Sequence, residues 1–354
     1  MNIEELTAQL ISYKSVSGNH KEVLSGYKFI QKYLGKRYYS KIVQYNNFLS
    51  MMIANTKDMT DFDVLFNGHF DVVSAKDDDF VAHIEGDKLY GRGSIDMKGQ
   101  LAVILNMFAN NHFDKKVGLL ITSDEEIGGH NGAEEYLKNN HINAKLVIVP
   151  DAGENFHFVD SEKALLQLDI VANGVSAHAS RPQDGKNAIL NAIAIYTDLC
   201  SQYNLDPTAA ANNDISINLS IINSGELYNK VPDKCVMKLD IRYRNYKQKD
   251  IEAKLQKICK SHNAVYNIHQ YADEFRCNLQ SIEVAKFCKA ANRVLNYDIQ
   301  HIDEDGASDI HYFASAGLPA VSINPEGYNL HSDNEYVVIP TLYTLQQIFM
   351  EYLK

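Results

Sequence analysis

The chain has 354 residues, 45% of them apolar and 22% charged, with 7 prolines and a formal net charge of −11. That is an ordinary globular composition, without the bias of a disordered or low-complexity chain. The acidity argues against nucleic acid as a partner, because nucleic acid wants a basic face. The length is great for one core, so two domains are expected. The N-terminal MNIEELTAQLISYKSV carries acids and no unbroken apolar stretch, which is not the pattern of a signal peptide. No run of about 18 apolar residues suggests a membrane span. The five scattered cysteines (Cys200, Cys235, Cys259, Cys277 and Cys288) form no CxxC pair, and free thiols in a reducing cytoplasm fit them.

Along the chain, helix and strand patterns alternate first. Residues 22–34 have apolar residues at helical spacing. Residues 63–73, DVLFNGHFDVV, read as an apolar strand running into a loop. Residues 97–110 are helical. Residues 117–126 and 144–154 are again apolar strands that end in charge. This alternation predicts an α/β fold with a mixed, mostly parallel sheet and helices on both faces. From Lys163 to about Phe275 the order changes to strand, helix, strand, strand, helix, strand. That βαββαβ order describes a ferredoxin-like unit inserted into the first domain. The expected boundaries are 1–162 and 278–354 for the catalytic domain and 163–277 for the insert. After the insert come a helix from Ser281, the strand-like LPAVSIN, and a terminal helix from Pro340.

Polar clusters follow directly on the apolar strands: His69 and Asp71, then Glu125 and Glu126, then Asp151. Ligands of open α/β sheets bind at the carboxyl ends of strands, so these ends suggest one site. Asp96 in LYGRGSIDMKG and His331 in NLHSDNE extend the set. Zinc takes His, Asp and Glu ligands, and two ions about 3.5–4 Å apart are well served by a shared carboxylate. Taken singly, each piece fits a plain structural role: a buried histidine, a solvated glutamate pair, a tight turn before a helix. Their order on successive strand ends favours a common site.

The segments GHFDVV, GRGSIDMKG, DEEIGG and HSDNE, in this order, resemble those of the co-catalytic metallopeptidase family. That family includes acetylornithine deacetylase, succinyl-diaminopimelate desuccinylase, aminoacylase, carboxypeptidase G and related dipeptidases. The resemblance runs over nearly the whole chain, insert included. It implies two divalent ions, zinc foremost, with cobalt or manganese as options. Asp96 would bridge them, His69 and Asp151 would complete one site, and Glu126 and His331 the other. Asp71 would orient the imidazole of His69, and Glu125 would be the general base. The Asp96–Met97 peptide matches a position that is often cis in the family.

The insert would serve as lid and dimerisation domain of a homodimer. GVSAHASRP resembles the family's segment whose histidine enters a partner's site, which points to His178. NKVPDKCVMKLDIR resembles the segment that supplies Asn229 and Arg242 to the substrate, and an arginine fork suits a carboxylate. GASDIHYF matches a substrate-facing loop, with Ser308 where relatives often have Thr. Asp151 departs from the Glu usual in the deacetylase and desuccinylase branches, whereas Asp is common in the dipeptidase and tripeptidase branches. The short chain and compact insert look more like the deacylases.

These features together imply hydrolysis of an amide bond beside a free carboxylate by a water that Glu125 deprotonates. The substrate would be a small N-acyl amino acid or a dipeptide. A deacylase leads, and a dipeptidase or carboxypeptidase of the same family is the alternative. A catalytically silent binding protein on the same fold is disfavoured by the retained Glu125. No GxSxG or Walker segment offers a different chemistry.

Overall fold

The apolar runs of the first third become the inner strands of one sheet. The computed structural model describes residues 1–354, and the sheet is built from β1 (Tyr39–Tyr45), β2 (Phe48–Ala54), β3 (Asp61–His69), β4 (Val117–Thr122) and β5 (Asn143–Ile148). The order is β1-β2-β4-β3-β5, followed by the short strand Ala320–Val321. β3 runs parallel to β4 and to β5, and Ala320–Val321 runs parallel to β5. β1 and β2 form an antiparallel hairpin at the β4 edge.

Successive strand residues point to opposite faces. Along β4, Val117, Leu119 and Ile121 enter one core while Leu120 enters another. Along β2, Met51 and Ile53 part from Met52 and Ala54 in the same way. Helices Ile3–Ile11, His20–Leu34, Gly99–Asn110, Ile282–Leu295 and Ile339–Leu353 cover the first face. Helices Glu135–Asn139 and Ile310–Ser315 cover the second. The expected α/β architecture, with helices on both faces, is therefore what the chain adopts.

Local chemistry sets the ends of these elements. The Ile3–Ile11 helix has a capping box: Asn2 accepts from the Glu5 N–H at 2.8 Å, and the Glu5 carboxylate accepts from the Asn2 N–H at 3.1 Å. The helix expected from residue 97 becomes regular at Gly99, because residues 94–98 form a wider turn around a cis Asp96–Met97 peptide. A small antiparallel sheet pairs Tyr336–Val338 with Lys88–Tyr90. It brings the chain just before Tyr336 beside the chain just after Tyr90.

By packing, Met1–Glu162 and Phe275–Lys354 form one compact unit and Lys163–Glu274 a second. The second unit holds β6 (Ala164–Asn173), β7 (Ile215–Ser224), β8 (Lys234–Tyr243) and β9 (Ala264–Ala272), antiparallel in the order β7-β8-β6-β9. Leu166, Leu168 and Ile170 of β6, with Met237, Leu239 and Ile241 of β8, pack against helices Ala188–Ser201 and Gln248–Ser261. The alternate residues Gln167, Asp169, Lys238 and Asp240 form a polar face. No helix of the chain is long and apolar enough to cross a membrane.

Phe66 of β3 is fully buried, with its ring 5.1 Å from that of Phe349 and 6.1 Å from that of Phe108. Phe66→Ala should cost about 3–5 kcal/mol, read as a lower urea midpoint at unchanged m-value. A midpoint equal to the parent's would show that this ring does not anchor the sheet.

Candidate metal centre

Three neighbouring strands deliver the cluster. β3 lies between β4 and β5 and ends in His69. Glu125 and Glu126 lie in the turn that follows β4, and Asp151 lies just beyond β5. Asp96 sits in the turn ahead of the Gly99–Asn110 helix, and His331 lies in the loop before Tyr336.

His69 Nε2 stands 3.0 Å from Asp96 Oδ1 and 3.4 Å from Asp151 Oδ1. His331 Nε2 stands 3.1 Å from Asp96 Oδ2 and 2.9 Å from Glu126 Oε2. Asp96 thus turns one carboxylate oxygen towards each imidazole. Ligand atoms of His69, Asp96 and Glu126 lie within 4.8 Å of one another, as do those of His69, Glu125 and Asp151.

The electrostatics follow from crowding acids out of water. Burial pushes the Glu125 carboxyl well above its ordinary value, and the neighbouring charge of Asp151 adds to it. Burial also raises Asp151 and Glu126. At Asp96 burial works in the same sense, but hydrogen bonds from His331 and His69 outweigh it and hold the carboxyl below the carboxylate range. Its bonds to Asp96 and Glu126 lift the His331 imidazole to about 10. Burial opposes a charge on the His69 imidazole, but the neighbouring acids outweigh it and raise that ring as well. The buried imidazole of His69, the exposed one of His331 and the carboxylate oxygens between them are a donor set that fits divalent ions.

Asp71 is fully buried, but its carboxylate is not the nearest partner of His69. The His69 Nδ1 lies 2.9 Å from the Asp71 main-chain carbonyl and 3.6 Å from its Oδ1. The carboxylate instead accepts the Ser17 hydroxyl at 2.7 Å and the N–H groups of Glu125 and Glu126 at 3.3 Å each. One residue therefore fixes the ring through its backbone and the glutamate pair through its side chain. Ser17 was not legible in the sequence, where it is one of several small residues in a loop.

Ser308 is buried beside Glu162. Its N–H donates to Glu162 Oε2 at 2.8 Å, and its hydroxyl reaches Oε1 at 2.9 Å. The expectation of a substrate-facing hydroxyl meets a side chain already engaged, because a buried carboxyl needs those donors. Its neighbour Asp309, which sequence reasoning passed over, accepts from Thr122 Oγ1 at 3.0 Å at the end of β4.

In the second unit, strand Ala177–His178 pairs with Lys230–Val231, and the Ala179 N–H donates to the Asn229 carbonyl at 3.0 Å, so His178 and Asn229 share one small ribbon. His178 is exposed, with Nδ1 2.8 Å from Ser180 Oγ. Arg242, on the polar face of β8, holds Asp240 through Nε at 2.8 Å and Nη2 at 3.3 Å.

Carboxylates and histidines gathered at the C-terminal ends of parallel strands form a cluster able to hold metal ions. Residues 65–354 match the sequence pattern of Peptidase family M20/M25/M40, and the chain belongs to that family. The succinyl-diaminopimelate desuccinylase of Blochmanniella pennsylvanica is 26% identical, over 99% of this chain and 96% of that one. The protein of the same name from Aliarcobacter butzleri is 25% identical over the full length of both. In fold, the chain is similar to a tripeptidase of Staphylococcus aureus (TM-score 0.83, 18% identity, 99% and 97% of the two chains). It is equally similar to the M20 metallo-carboxypeptidase Sso-CP2 of Sulfolobus solfataricus (TM-score 0.83, 20% identity, 100% and 98%).

Burial lifts the Glu162 carboxyl to about 8 against the opposing hydrogen bonds from Ser308. Its unfolded value is about 4.3, so the folded state binds the extra proton. The stability this gives is complete below the unfolded value and is lost as pH climbs through about 8. Glu162→Gln abolishes that titration, so its Tm relative to the parent should rise steadily between acidic and alkaline buffers. A difference that stays flat with pH would show that Glu162 is ionised in the folded protein.

Proposed function

We propose that this chain is a two-metal amidohydrolase that removes the acyl group from a small N-acyl amino acid. The reading rests above all on Asp96, whose two oxygens face His69 and His331 at 3.0 and 3.1 Å. A carboxylate so shared is what a bridging ligand requires. His69, Asp96 and Asp151 would hold one ion, and Asp96, Glu126 and His331 the other, zinc being the first choice for this donor set and cobalt or manganese acceptable. When bound, such ions acidify a water from about 15.7 towards about 7 and polarise the amide carbonyl.

The chain's own residues do the rest. Glu125 takes the proton of the attacking water and returns it to the leaving amine. Burial raises its carboxyl, which makes it a stronger proton acceptor and lets it hold the proton between the two steps. Asp71 keeps Glu125 and Glu126 in their different directions by accepting both of their N–H groups. In the second unit, a ferredoxin-like lid on this reading, His178 would donate to the developing oxyanion and Asn229 would bind the substrate. Arg242 would take the substrate carboxylate through Nη1, the guanidinium nitrogen not engaged by Asp240. The lid would also pair two chains into a homodimer in which each partner lends His178 to the other. A cytoplasmic setting suits the five free cysteines.

The desuccinylase relatives favour deacylation. Asp151 and the likeness to the tripeptidase keep a dipeptidase as the second reading. A hydrolysis panel of N-acetyl, N-succinyl and dipeptide substrates with added zinc, cobalt or manganese separates them. Turnover of the acylated amino acids alone supports the deacylase, and turnover of dipeptides alone replaces it.

Glu125→Gln should lower kcat by at least about 10²–10⁴-fold while leaving metal content intact. Loss of bound metal in that variant would move Glu125 into the ligand set. Arg242→Ala should raise KM, by the equivalent of about 1.5–3 kcal/mol, for free-acid substrates and not for their amides. An equal rise for both would give Arg242 another task. Chains carrying His178→Ala, mixed with chains carrying Glu125→Ala, should regain activity after subunit exchange. No recovery after proven exchange would contradict the shared site.

A further inference from the structure

The Asp96 turn and the His331 loop are irregular segments that carry two of the candidate ligands. Gly93 has φ 84°, His331 φ 59° and Asn334 φ 60°, so neither segment is fixed by a continuous helix or ladder. What joins them is a buried ion pair. Arg92 and Glu335 are 4% and 3% exposed, and Arg92 Nη1 donates to Glu335 Oε2 at 2.7 Å.

Every lone-pair direction of that carboxylate is used along the Asp96 turn. Oε2 also accepts the Gly93 N–H at 3.0 Å, and Oε1 accepts the N–H groups of Ile95 at 3.1 Å and Asp96 at 3.2 Å. The guanidinium reaches the other way. Arg92 Nη2 donates to the carbonyl of Ser332, the residue after His331, at 3.1 Å. The Gly91 N–H closes the ring on the Glu335 carbonyl at 3.0 Å. Removing either charge would strand the other in the interior, so the two act as a unit.

We propose that Arg92 and Glu335 are positioning residues that lock the Asp96 turn to the His331 loop, and thereby set the geometry of the ion site formed by Asp96, Glu126 and His331. Both side chains are buried, so the pair would act through these two ligands. The inference rests on the two-ion reading above. It assigns Glu335 of the NLHSDNE segment a task distinct from that of His331.

The test titrates chelator-treated full-length protein with cobalt(II) alone and follows its visible absorption. The site in question is identified as the equivalent lost in His331→Ala. Glu335→Gln should weaken that equivalent by about 10–100-fold, with a smaller effect on the other. Its kcat in the cobalt-loaded state should fall more than its KM rises, and its spectrum should report an altered coordination geometry. Arg92→Lys, which keeps the charge but loses the fork, should weaken the same equivalent to a lesser degree. It decides the matter by the same titration if Glu335→Gln does not fold. Parent-like affinity at both equivalents, or an equal loss at both, overturns the proposal. A parent that binds fewer than two ions overturns the two-ion reading instead.

Discussion

Crowded, buried negative charge is the constraint on which the rest of this structure depends. Asp96, Glu125, Glu126 and Asp151 meet around two imidazoles, with the fully buried Asp71 immediately behind them. Taking carboxylates out of water is costly unless something positive or hydrogen-bonding meets them. The imidazoles of His69 and His331, both raised by the acids beside them, meet part of that demand, and burial raises Glu125 and Asp151. On the proposed reading, divalent ions would answer the same demand and supply the chemistry as well.

The fold meets the constraint by geometry. Parallel strands deliver side chains from β3, β4 and β5 to one end of the sheet, whose inner strands are buried on both faces. Main-chain N–H groups then satisfy the acids that are not aimed at the cluster. Asp71 takes two of them from the glutamate turn, and Glu335 takes three from the Asp96 turn. Lys98 belongs to the same economy of buried charge. Its ammonium lies 5.1 Å over the Phe70 ring and donates to the Tyr13 carbonyl at 2.9 Å, and burial lowers it to about 7. Rigid strands thus place the donors, while buried polar contacts fix the loops.

The strand ends were legible in the sequence because a long apolar run that stops abruptly at an acid or a histidine marks where a buried strand leaves the core. His69, Glu125, Glu126 and Asp151 are the residues at which those runs stop, and Asp96 and His331 stood out by their motifs. The supporting contacts were not legible. Ser17 and Asp71 are 54 residues apart, and Arg92 and Glu335 are 243 apart. Nothing local in either segment signals its partner, since only the folded sheet brings them together. The short strands Lys88–Tyr90 and Tyr336–Val338 were missed for a related reason. Their alternation is brief, and pairing rather than propensity makes them strands.

On the proposed two-ion reading, the chemistry turns on one carboxylate, Asp96, being shared by both ions. Anomalous diffraction at the zinc edge, from crystals grown with zinc, measures this directly. Two peaks about 3.5–4 Å apart are expected with the Asp96 carboxylate between them, one beside His69 and Asp151 and the other beside Glu126 and His331. A single peak, or two peaks that do not share Asp96, would contradict it.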